Sequence, residues 1–225
     1  EIPGSGQGLV QEVVKEMATR IGHPGNIEYM PWHKAQDLAL TQPNIGVLSL
    51  TRSPERENRY KWLAKIVTDD LVLVGGPDVD ASSLDKVKDR PTGVLYRSGA
   101  EALLKEQGFT SIEPAFEEWT NATKMKEERI DAWLAPRLMV IHAYKEVGGD
   151  PSTLNIGSVI RRSEIWLAAS KRLPDEEVRH WAEAFEQIKA DGTYARIMQK
   201  YNRIRVLPIE DDTRRHLEEP FIQVR

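Results

Sequence analysis

Two arginines, Arg52 and Arg56, stand four residues apart in the stretch TRSPERE that follows the apolar run NIGVLSL. A carboxylate taken out of water needs replacement hydrogen bonds. A guanidinium fork supplies two at once, and each charge-assisted bond contributes on the order of 1.5–3 kcal/mol. The same side chains read equally as solvated charges paired with Glu55 or Glu57. Ser49 and Thr51 flank the end of the apolar run, where they either line a cleft outside the carboxyl edge of a sheet or cap a turn. Further along, Arg97, Ser98 and Gly99 open a helical pattern. Its positive end and the Ser98 hydroxyl suit an anion, and an ordinary N-cap at Ser98 uses the same groups.

Other chemistries have little to stand on. There is no Cys, and His23, His33, His142, His180 and His216 show no HxxxH or HExxH spacing, so neither a thiolate nor a metal site is expected. The net charge of −4 is spread over alternating acids and bases without the basic stripe a nucleic-acid binder needs. No window approaches the roughly 20 apolar residues of a membrane span. The opening EIPGSGQG lacks the charged-then-apolar order of a signal peptide, so an exported form would have had its signal removed.

The elements that must position these groups alternate. Apolar residues from Leu9 to Ile21 recur at helical spacing and stop at Gly22 and Pro24. A short strand over 27–30, a helix carrying Ala35, Leu38 and Ala39, and the strand NIGVLSL follow. A helix start is predicted at SPERE, then a strand over 71–76, a small helix near Leu84–Val87, strand TGVLY, a helix over 100–107 and strand 111–115. Next come a helix over 122–129, strand AWLA, a helix over 136–147, short strand 154–156 and strand IWLAAS at 165–170. Two C-terminal helices end near Tyr201, and the charged stretch 211–219 reads as peripheral. Alternation of this kind predicts parallel pairing with helices on both sheet faces.

In order and wording the chain resembles the periplasmic amino-acid-binding proteins of ABC transporters, solute-binding family 3. The resemblance runs from about Gly8 to Tyr201. It rests on GLVQEVVKEMATRIG, PWHKA, the Thr-x-x-Arg-like TRSPERE, TGVLYRSGAEALL, ERIDAWLA, IWLAASKRLPDEE and IKADGTYARIMQKY. It implies a type II periplasmic-binding-protein fold: two lobes, each a mainly parallel sheet flanked by helices, joined by hinge strands near 71–76 and 165–170. Lobe 1 would comprise 1–75 with 168–225, and lobe 2 would comprise 76–167. The family's usual first strand has no counterpart before EIPGSG.

Carried over, the carboxylate-binding role falls on Arg56, with Arg52 able to share it. Trp32, in PWHKA, and Trp133, on the Asp-Ala strand, would wall the pocket or pack in the core. The resemblance also implies a monomeric, periplasmic, cofactor-free subunit. It would close on a small carboxylate or amino-acid-like ligand and deliver it to a membrane permease. The family's acid for the ligand ammonium is missing: Asp131-Ala132 leads into Trp133, Leu134, Ala135 and Pro136. Either another acid such as Glu101 serves, or the ligand is not a standard α-amino acid. Arg137 hints at a second anionic group, and a surface charge explains it as well. The alternatives are a sensor domain of a membrane signalling protein and a cyclohexadienyl-dehydratase-like enzyme, with His33 and Glu101 as its loose candidates.

Overall fold

Two 16-residue strands, β2 (Tyr60–Gly75) and β6 (Asn155–Ser170), run antiparallel through the middle of a six-stranded mixed sheet. The architecture is that of a computed structural model describing residues 8–203, so the start EIPGSGQ and the tail from 204 lie outside the described residues. On one side of the long pair lies β1 (Gly46–Thr51). On the other lie β5 (Ala132–Pro136), β3 (Thr92–Leu95) and β4 (Ile112–Ala115), giving the order β1-β6-β2-β5-β3-β4.

Helices α1 (Leu9–Arg20), α2 (Trp32–Thr41) and the short α3 (Pro54–Glu57) precede β2. Helices α4 (Gly99–Glu106), α5 (Glu118–Lys126) and α6 (Arg137–Glu146) connect the strands between β3 and β6, and α7 (Asp175–Ala190) and α8 (Thr193–Arg203) close the described chain.

Most elements follow the hydrophobic pattern. The stripe Val13, Val14, Met17 and Ala18 is the buried face of α1. Three acids in the first turn of α7 oppose the positive end of its dipole. Four expectations need correction. Parallel pairing holds only where β3 meets β4 and β5; β1–β6, β6–β2 and β2–β5 are antiparallel, because β6 returns the chain against β2 and each outer strand inherits its direction from that pair. The 71–76 strand begins at Tyr60, and the 154–156 and 165–170 strands are one. Segment 157–164 hides this because it is mostly solvated and carries no apolar alternation. Residues 27–30 form no ladder, having no strand beside them among the described residues. The helix expected over 122–129 begins at Glu118 and ends at Lys126.

The apolar side chains collect at the two ends of the long strands. Leu63, Ala64 and Ile66 of β2 pack with Leu167 and Ala169 of β6 under α1 and α7, while α2 covers β1 through Ala39, Val47 and Leu50. From Leu71 onward β2 packs instead with β3, β5 and α4 on one face, and with α5, α6 and Trp133 on the other. Between the two ends the strands turn polar. Arg162 Nε bonds Asp70 Oδ1 at 3.1 Å, and Lys65 Nζ bonds Glu164 Oε1 at 2.6 Å. Gly157 lets β6 pass the 81–82 backbone: a Cβ there would lie 2.0 Å from Ala81 O.

Candidate ligand-binding site

Where the long strands change cores, the carboxyl ends of β1, β3, β4 and β5 converge on one depression. Its whole extent, about 3990 Å³, far exceeds the 300–1,000 Å³ of a small-molecule site, so the chemistry must pick out one part. Trp32, Ser49, Thr51, Arg56, Ser98 and Arg137 all line it.

Arg56 stands at its β1 side. Its Nη1 donates to Thr51 O at 3.2 Å and its Nη2 reaches Gln36 Oε1 at 3.4 Å, and among the described residues no carboxylate pairs with it. Burial therefore pushes the guanidinium pKa below its ordinary value, which still leaves it charged. The neighbouring arginines behave in the opposite way. Arg52 forks onto Glu57 at 2.8 and 2.6 Å and lies between Trp62 and Trp166, 5.3 and 4.6 Å from their ring centres. Arg97 pairs with Asp37 at 2.9 Å. Each carboxylate raises its partner's pKa. The Arg–Glu pairing open in the sequence thus falls to Arg52, and Arg56 is left with a fork to offer.

The backbone is contorted at two points beside this arginine. Ser49 has φ 61° inside β1, where the register with β6 shifts between Val47 and Leu50, and Arg97 has φ 57° just before α4. Non-glycine residues rarely adopt this region, and such outliers collect where a site must be shaped. Ser98 is the N-cap of α4: its Oγ accepts from Glu101 N at 3.2 Å, while Glu101 Oε2 accepts from Arg97 N at 2.5 Å. Glu101 is further bound by Lys105 at 2.6 Å, so it serves the helix start and is not a free acid for a ligand.

Not every anticipated residue joins the site. Trp133 is fully buried, its Nε1 donating to Glu118 Oε2 at 3.0 Å, so it is core and not a pocket wall. Its strand is covered on that face by α5 and α6. Arg52 and Arg97 are occupied as described and do not line the depression. Asp131 pairs with Arg90 at 3.2 Å. His33 packs against Tyr96 and Phe116, with ring centres 5.7 and 5.0 Å apart.

The sequence reading missed Gln36, buried on α2, which holds Arg56 with one end and donates to Arg97 O at 3.3 Å with the other. Its helical spacing places it on the apolar face beside Ala39, the one signal that could have marked it. Asp69 was missed too. It takes N–H bonds from Asp70 at 2.8 Å and Leu138 at 3.4 Å, and desolvation pushes its pKa up to about 7. Glu118 is pushed up to about 7 by burial as well, against the lowering effect of bonds from Asn121 and Trp133.

No family model matches the chain, and no curated protein matches it in sequence. Solved structures do match it. A mutant of ArgBP from T. maritima superposes with a TM-score of 0.78 at 17% identity over 90% of this chain and 88% of that one. The substrate binding protein of an amino acid ABC transporter gives 0.76 at 16% identity over 86% of each chain. A histidine kinase sensor domain with similarity to periplasmic binding proteins gives 0.74 at 13% identity, over 86% and 85%. These likenesses establish the fold as that of the amino-acid-binding periplasmic proteins, a six-stranded α/β sheet flanked by helices.

Proposed function

We propose that this chain is the periplasmic binding subunit of an ABC uptake system, a protein that takes a small carboxylate or amino-acid-like ligand between two lobes and closes on it. Arg56 carries the reading: a half-buried guanidinium with no acid partner among the described residues, in a depression at the carboxyl ends of four strands, is suited to receive an anion. Ser49 and Thr51 beside it and Ser98 opposite complete the polar contacts. Trp32 supplies an aromatic wall.

The lobes expected at 1–75 with 168–225 and at 76–167 shift at their edges, since Leu71–Val74 pack with the core of β3 and β5 and Leu167 with that of α1 and α7. β2 and β6 act as hinge strands where they turn polar near 67–70 and 161–164, before the 71–76 and 165–170 first expected. Ligand meets one lobe and gains contacts from the other, so closure is driven by differential affinity, and the closed form is what a permease recognises. A binding role suits this site better than a catalytic one. Glu101, the loose acid candidate of an enzyme reading, is bound by Arg97 N and Lys105, and His33 lies against two aromatic rings. Among the described residues no helix is long and apolar enough to cross a membrane. The likeness to a sensor domain supports a second reading, in which the same closure signals across a membrane.

The test is a thermal-shift screen of amino acids, dicarboxylates and aromatic acids, with small-angle scattering of any hit. A hit that compacts the protein and is lost in Arg56→Ala supports the reading. A hit whose affinity is unchanged in Arg56→Ala defeats it.

A further inference from the structure

One side of the depression touches the other through α2. His33, Gln36 and Asp37, three and four residues apart, share one face of that helix and meet the turns after β3 and β4. His33 meets Tyr96 edge-on and lies beside Phe116, and Asp37 pairs with Arg97. Gln36 Nε2 donates to Arg97 O at 3.3 Å, and its Oε1 accepts from Arg56 Nη2 at 3.4 Å. Of the three only Gln36 is buried, at 6% exposure. Other buried polar side chains, such as Glu101, Glu118 and Ser170, bond within one end of the sheet, whereas Gln36 bonds across the depression.

Arg97 is held at three polar points. Its N–H donates to Glu101 Oε2 at 2.5 Å, its carbonyl accepts from Gln36, and its guanidinium pairs with Asp37. The left-handed backbone there, φ 57°, needs such support, and the next residue, Ser98, caps α4 and lines the depression. Two of the three supports come from α2. Gln36 can serve both its partners in one direction only. A guanidinium donates and a carbonyl accepts, so the amide turns Oε1 to Arg56 and Nε2 to Arg97; reversed, it would set donor against donor and acceptor against acceptor. A cation on Oε1 polarises the amide and strengthens the Nε2–H as a donor. Withdrawal of the 96–98 turn would leave that buried N–H without its acceptor, the costly case for a hydrogen-bonding group.

We infer that Gln36 is the positioning residue that couples Arg56 to closure of the cleft: a guanidinium held in place, as by a bound anion, keeps the amide in the direction that grips Arg97 O. This rests on the two-lobed closing mechanism proposed above and names the link within it. The coupling is reciprocal, so closure in turn orders Arg56 for its anion.

A double-mutant cycle on the ligand-free protein tests it. The chain has no Cys, so Gln107→Cys and Gln187→Cys, at exposed positions after α4 and on α7, carry spin labels whose separation reports open and closed populations. Gln36→Met, an apolar substitute of similar length, lowers the closed-to-open ratio by about threefold to tenfold. Arg56→Met lowers it by about threefold while Gln36 is present and by less than about twofold in the Gln36→Met background. Independent losses, which a packing role for Gln36 would give, overturn the inference, and so does a Gln36→Met protein that closes as the wild type does. Gln36→Glu keeps an acceptor for Arg56 but turns a carboxylate oxygen toward Arg97 O, so it closes less than Gln36→Met; equal or greater closure overturns the inference even where the methionine variant fails to fold. A single separation, the same in every variant, overturns it together with the hinge reading, whereas independent losses overturn it alone.

Discussion

Arg97 and Asp37, sixty residues apart in the chain, join through Nη1 and Oδ2 at 2.9 Å and tie the loop before α4 to α2 across the depression. Gln36, one residue before Asp37, links the carbonyl of that same Arg97 to the guanidinium of Arg56. The side chains that hold Arg56 and Arg97 are therefore neighbours on a single helical turn of α2.

That pair is exposed to solvent, so it biases closure weakly and is sensitive to salt. Asp37→Asn shifts the unliganded protein toward a more open form and weakens ligand no more than severalfold. Raising sodium chloride to about 0.5 M has the same effect on the wild type and none on the variant. Scattering profiles with and without salt check both statements.

Arg56→Ala removes two charge-assisted bonds to a bound carboxylate and weakens binding by about 100-fold or more. Arg56→Lys keeps the charge but not the fork and falls between the two. Titration calorimetry gives the order. Equal affinity for wild type and the alanine variant removes Arg56 from the site.

Glu118 makes stability depend on pH. Its folded pKa lies near 7 against an ordinary value of 4.5, so between these values the folded state binds a proton that the unfolded state has released. Stability is greatest below about 4.5 on account of this group and falls as pH rises through 7. Glu118→Gln loses that decline and gains on the wild type by on the order of 1–3 kcal/mol between pH 5 and pH 8. Asp69, raised in the same sense, leaves a residual slope in the variant. Urea unfolding at several pH values separates the two.

Gly157→Ala places a methyl within 2.0 Å of Ala81 O, a backbone atom that cannot rotate away. The strand or the 79–82 loop must shift, at a cost of about 2–3 kcal/mol in chemical denaturation, and the β2–β6 pairing near Gly75 and Asn155 loosens with it.

The order of elements was readable because most carry their own periodicity, as the stripe Val13, Val14, Met17 and Ala18 does on α1. The central strands were half hidden. None of residues 157–164 is fully buried, and their strand character comes from pairing with β2, a tertiary fact with no local pattern. At the site, Ser49, Thr51 and Ser98, expected from their place at a strand end and a helix start, and Arg56 and Trp32, carried over by the resemblance, all line the depression. Arg52 and Arg97 could not be separated from Arg56 by sequence, since what distinguishes them is which acid sits within reach: Glu57 for one and Asp37 for the other. Trp133 misled because an aromatic residue on a cleft-bound strand looks the same whether it points outward or inward. Its indole proton found Glu118 inside.

Ser49 has a consequence beyond ligand geometry. Among the described residues β1 is an end strand of the sheet, bonded to β6 along one side only, and an unpaired strand side is a template on which a second chain can stack. The left-handed residue at position 49 interrupts that template midway, leaving regular register only at Gly46–Val47 and Leu50–Thr51. Each stretch is too short to hold a foreign strand. The kink at Ser49, a residue that lines the depression, thereby also leaves this border without a continuous ladder edge.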